Sequence, residues 1–150
     1  MWIICYIGNF VGIALICFLF VKSGSNQELL TEYITTVVDG KLAFSAGQLF
    51  IKGVLCNFIV CVGAYVGMKM QDDTAKTIIM MLVVMAFVLP GLEHSIANMG
   101  NFTLGITALG TSYDWSLVPL HMLISTAGNI IGGAVLLGVP LFMMIKPKKR

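Results

Sequence analysis

The sequence is short of charge. Of its 150 residues only 11% are Asp, Glu, Lys or Arg, where a soluble domain carries about 25%. With 58% of residues hydrophobic, this excludes a soluble domain tethered by one anchor; the whole chain reads as a membrane protein. Cysteine is also sparse. Cys5, Cys17, Cys56 and Cys61 all lie in apolar runs, and no CxxC pair or Cys/His ligand spacing occurs. They read as small packing residues, and no metal or other cofactor is expected. Basic runs are confined to Lys146-Pro147-Lys148-Lys149-Arg150. That run suits a cytoplasmic membrane flank and gives no support to a nucleic-acid surface. The N-terminus lacks a basic leader and a small-residue cleavage site, which argues against a signal peptide.

Long apolar runs are abundant. A membrane span needs about 20 apolar residues, and four candidates are found, within an all-α membrane protein read as one transmembrane domain. They cover about 2–21, 46–68, 77–110 and 116–145. The third is too long for one simple helix. It is interrupted by Pro90-Gly91 and by a polar cluster running to Asn101, so two half-helices with a break near 90–101 are expected. Lys69 and Lys76 flank the loop after the second span, on the same side as the basic C-terminal run. The excess of Lys and Arg there puts both termini in the cytoplasm. On the other side, Lys22 and Lys41 are offset by Glu28, Glu32, Asp39 and Asp114. The less apolar stretch between the first two spans predicts a short helix, Glu28 to Val38, lying at the outer surface.

The pattern Gly-Asn-x-x-Gly occurs twice, as Gly8-Asn9-Phe10-Val11-Gly12 and as Gly128-Asn129-Ile130-Ile131-Gly132. Small residues let helices approach closely, and a central Asn supplies an interhelical hydrogen bond. The two copies lie in spans of opposite direction, which fits inverted-repeat architecture. On that reading the last three spans form one repeat, and the first span closes a partner repeat whose other helices are not in the sequence. The chain thus reads as N-terminally truncated.

Gly91-Leu92-Glu93-His94-Ser95-Ile96-Ala97-Asn98-Met99 places ionisable and polar groups at bilayer depth. Each costs about 2.5–3.5 kcal/mol there on insertion scales, so such groups usually line a path or a site. This segment closely resembles the broken fifth helix of the formate/nitrite transporter family. Further matches follow in order: Trp2…Tyr6-x-Gly8-Asn9-x-x-Gly12; Lys41, then Lys52-Gly53-Val54-Leu55-Cys56-Asn57-x-x-Val60-Cys61; and Gly128-Asn129-Ile130-Ile131-Gly132-Gly133. The chain is similar to the C-terminal part of such a transporter, from its third transmembrane helix onward. The resemblance implies an aquaporin-like helical bundle with inverted repeats, six helices per protomer of which four are here. It also implies a homopentamer in a lipid bilayer, with a pore in each protomer for small monovalent anions. A bacterial cytoplasmic (inner) membrane is the expected location.

The candidate pore residues are His94, Asn57, Lys41, Phe87, Ser95 and Asn98. Imidazole titrates near pH 6.5 in water, so His94 can exchange a proton in the physiological range. An anion crosses an apolar constriction at far higher cost than its neutral acid. The expected mechanism is therefore attraction of the anion, protonation at His94, and passage as the acid. Formate is the first choice of substrate, with nitrite and hydrosulfide as alternatives. The resemblance implies that Lys41 supplies positive potential, that Asn57 orients the His94 ring, and that Phe87 forms an aromatic constriction. Phe87 precedes His94 by two helical turns and so shares its face. Ser95 and Asn98 are placed to satisfy backbone groups freed by the break. The half-helix after it, expected to begin near Gly100 to Phe102, offers its N–H groups to an anion. Glu93 would repel such a substrate and is given no part in transport. Lys52 is read as structural or lipid-facing, its stem snorkelling to the interface, and His121 as interfacial.

Three other readings compete: a non-conducting fragment of such a transporter, an enzyme, and a neutral-solute pore. Glu93, His94 and Ser95 are contiguous and so point around a helix, which disfavours a catalytic set. A buried His together with Lys41 disfavours a neutral-solute pore.

Overall fold

The computed structural model describes residues 1–144; the basic run Lys146 to Arg150 lies outside them. Those described residues are helical, in six helices: α1 (Trp2–Lys22), α2 (Gln27–Leu42), α3 (Ala46–Lys69), α4 (Asp73–Val88), α5 (Ser95–Leu109) and α6 (Trp115–Met144). A short 3₁₀ turn, Gly110–Ser112, precedes α6. By length and composition α1, α3 and α6 can each cross a membrane. Helix α1 is apolar around its whole circumference, with Ile3, Ile4, Ile7, Phe10, Leu15 and Ile16 all exposed. An all-round apolar helix is stable only with its sides in protein or lipid, and here the sides not packed on α5 are open.

The described residues pack as two compact units. The first joins Met1–Ala46 to Ser95–Leu123. In it α5 packs along α1 and α2. The buried face of α5 is Ser95, Asn98, Met99, Phe102 and Gly105, a stripe at helical spacing. Leu30, Ile34 and Val38 form the buried stripe of α2. The predicted short helix thus exists, but it extends to Leu42 and takes Lys41 into its last turn. A cation there complements the partial negative charge of the helix end. His121, read as interfacial, is buried instead, edge-on to Phe102 with ring centroids 5.0 Å apart.

The second unit joins Gly47–His94 to the chain from Ile124 onward. Helices α3 and α4 form a hairpin whose turn is capped by Asp72, which accepts the Ala75 N–H at 2.7 Å. Lys76 adds an ion pair to Asp73 at 2.9 Å. Helix α6 lies against α3 through its glycines. A Cβ on Gly128 would stand 2.5 Å from the Phe50 carbonyl oxygen and 3.1 Å from the Val54 nitrogen. Only glycine permits that backbone approach.

The interior of α6 holds a surprise for a plain helical span. Residues Ile131–Gly138 are π-helical, and the Val139 N–H reaches back to the Ala134 carbonyl. Pro140 cannot donate a backbone hydrogen bond, and the Asn129 carbonyl accepts from the Asn57 side chain instead. Both relax the ordinary i→i−4 ladder in this part of the helix.

Candidate functional site

Helix α4 ends at Val88, and its ending determines where His94 sits. Pro90 removes one backbone donor. Gly91 then adopts φ +64, a left-handed conformation that glycine takes at little cost. Two bonds close the end: the Gly91 N–H to the Val88 carbonyl at 3.0 Å, and the Leu92 N–H to the Phe87 carbonyl at 2.9 Å. This is the paired pattern of a Schellman motif. The backbone of Phe87 is thus part of the cap, and its ring is held beside the non-helical segment that follows.

His94 is the last residue of that segment. It is half-buried, and its ring stacks on Phe87 with centroids 5.5 Å apart and planes inclined by 31°. The predicted pairing of these two residues is present, although by way of a cap and a turn. They do not lie on one continuous helical face.

The turn is fastened by side chains from its neighbours in the same unit. Asn129 Nδ2 donates both to the Glu93 carbonyl at 2.8 Å and to the Gly53 carbonyl at 2.9 Å. One amide of α6 therefore holds α3 and the residue before His94 together. Lys52 Nζ donates to the Gly91 carbonyl at 3.2 Å. Lys52 is thus structural, of the two roles the sequence allowed it. Asn57 Nδ2 donates to the Asn129 carbonyl at 2.6 Å. Its amide joins α3 to α6, the interhelical role the sequence allowed beside the ring-orienting one. The Glu93 side chain is buried, at 1% exposure.

Helix α5 begins at Ser95. The expected start near Gly100 is therefore corrected: Ser95 to Asn101 are helical, and the break is confined to the residues between Val88 and Ser95. The sequence placed it too late because it took polar residues as non-helical. Ser95 and Asn98 fall in the first turn, both buried, at 6% and 1% exposure. That turn carries the positive end of the helix dipole. Lys41 belongs to the same unit as these two residues.

Two contributors were not singled out as site residues from the sequence, Asn129 and Lys52. Asn129 carried a signal in Gly128-Asn129-x-x-Gly132, read only as helix packing. Lys52 carried another, as a charge inside an apolar run.

A helical protein with three helices long and apolar enough to cross a bilayer belongs to the class of polytopic membrane proteins. The comparisons narrow the class. The profile of the formate/nitrite transporter family matches residues 1–143, and the chain belongs to that family. It is 31% identical over 92% of its length to the uncharacterized transporter YwcJ of Bacillus subtilis (strain 168), covering 55% of that protein. It is 30% identical over 92% of its length to the formate channel FocA of Haemophilus influenzae, covering 56% of it. It is 33% identical over 89% of its length to the nitrite transporter NirC of Escherichia coli (strain K12), covering 50% of it. The chain thus spans about half the length of the curated relatives it matches. Among solved structures, an FNT family ion channel superposes with a TM-score of 0.82 at 26% identity, over 94% of this chain and 57% of that one.

Proposed function

We propose that this chain forms part of a transmembrane pathway for a small monovalent weak-acid anion, formate in the first place, with nitrite and hydrosulfide as alternatives. The anion is protonated at His94 and passes the Phe87 constriction as its neutral acid. The observation that carries this reading is His94 stacked on Phe87 at 5.5 Å, just beyond the capped end of α4. The aromatic ring raises the cost of passage for a charge, and the imidazole supplies the proton that removes the charge. Relatives named for formate and for nitrite support the same substrate class.

Lys41 contributes positive potential, and the positive end of the α5 dipole, where Ser95 and Asn98 lie, favours an anion. Asn57 sets the spacing of α3 and α6. The protomer is an inverted-repeat, aquaporin-like bundle, assembled in the bilayer as a homopentamer. Both termini face the cytoplasm of a bacterial inner membrane.

The test is uptake of labelled formate into proteoliposomes over a range of pH. The His94→Phe variant should lose uptake by about tenfold or more, together with the pH dependence. Uptake with unchanged rate and pH profile would remove His94 from the mechanism.

A further inference from the structure

Of the tripeptide before His94, two carbonyls are held from outside the segment. Gly91 is held by Lys52 of α3 at 3.2 Å and Glu93 by Asn129 of α6 at 2.8 Å. Lys52 and Gly53 are consecutive, and the Gly53 carbonyl takes the second N–H of the same Asn129 amide at 2.9 Å. The contacts close a ring: α3 to the turn through Lys52, the turn to α6 through Asn129, and α6 back to α3 at Gly53. Only Leu92 separates the two held carbonyls.

A carbonyl released by a helix ending must find a partner where water is scarce. The Schellman bonds occupy the N–H groups of Gly91 and Leu92 but leave the Gly91 carbonyl to a side chain. An ammonium is a strong donor for it. Its charge also suits the end of α4, where the helix dipole is negative. A bound Lys52 gives a reason for a cation in an apolar helix that snorkelling alone does not.

We propose that Lys52 is a positioning residue, whose bond to Gly91, acting with Asn129 on Glu93, fixes the turn that sets the His94 ring against Phe87. The geometric part stands on these contacts alone; its consequence for transport rests on the function proposed above.

The test is made on the full chain in lipid, with ¹⁵N-labelled histidine and a His94→Phe reference to identify the His94 ring resonances. Lys52→Met keeps the stem and removes the donor; Lys52→Arg keeps a charged donor. The methionine variant should shift or broaden the His94 signals and lower formate uptake by several-fold, and the arginine variant should restore both. His94 signals unchanged in Lys52→Met would overturn the proposal, even if uptake fell, because Lys52 would then act only as a fixed charge. Shifted signals with unaltered uptake would uphold the positioning and count against the role of His94 in transport. If Lys52→Met does not fold, Lys52→Gln replaces it: its amide ends one atom short of the lysine nitrogen and falls short of the Gly91 carbonyl, so it should perturb the His94 signals more than arginine does. Equal spectra for those two would likewise overturn the proposal.

Discussion

At the scale of the residue, the site is governed by carbonyls as much as by the titratable ring. His94 and Phe87 form the visible pair, but Asn129 holds the peptide on which His94 is carried. Its side chain is buried, at 6% exposure, and both its N–H groups are used. Asn129→Ala should therefore remove two hydrogen bonds between elements, at a cost of about 1–2 kcal/mol given what interhelical hydrogen bonds contribute in membranes. A lower midpoint in thermal unfolding in detergent should report it. Because Asn57 donates to the backbone of residue 129, that bond survives the change. An unaltered midpoint would mean that the amide contributes no net stability. His94 and Asn57 were both legible in the sequence, as polar groups in apolar runs. The partner of Asn57 was not, because an amide at helix centre can reach any of several neighbours.

At the scale of the element, one motif has two fates. In α6, Gly128-Asn129-x-x-Gly132 is pressed against α3, and its Asn donates across to Gly53. In α1, Gly8-Asn9-x-x-Gly12 has open space at both glycines, and Asn9 turns back to the Cys5 carbonyl of its own helix at 2.9 Å. The pattern marks a helix able to pack closely; it does not decide what packs there. Gly128→Leu should drive a side chain into the Phe50 carbonyl and part α3 from α6. Overpacking of this kind costs about 1–3 kcal/mol, and here the obstacle is backbone, which yields little. The expected result is a sharp fall in folded yield by size-exclusion chromatography, with Gly8→Leu tolerated far better. Equal behaviour of the two variants would contradict the packing described for α6. The helix break belongs to this scale as well. Helix α4 ends before Pro90-Gly91, while the start of α5 was placed too late, since Ser95 and Asn98 are polar yet helical.

At the scale of the whole molecule, the apolar exterior of α1 and the scarcity of charge call for lipid or protein around the helices. The homopentamer proposed above is tested at this scale. Native mass spectrometry of the gently extracted protein should give five times the mass of its subunit, and a monomer as the dominant species would refute the pentamer. Membership of the formate/nitrite transporter family was legible from the ordered series of short motifs, because each holds residue types with a mechanical role: close approach, a helix stop, a hydrogen-bonding amide.

Composition and apolar run length settle the helical membrane class without any coordinates, since both follow from the cost of burying charge and unpaired backbone in lipid. Local chemistry also settles where α4 must stop, because Pro90 and Gly91 act within a turn of themselves. The register of α6, its π-helical stretch, and the hold of Lys52 and Asn129 on the turn were decided only in three dimensions. Each depends on which carbonyl a side chain from a distant part of the sequence happens to face, and that is fixed by packing, for which short-range pattern carries no information.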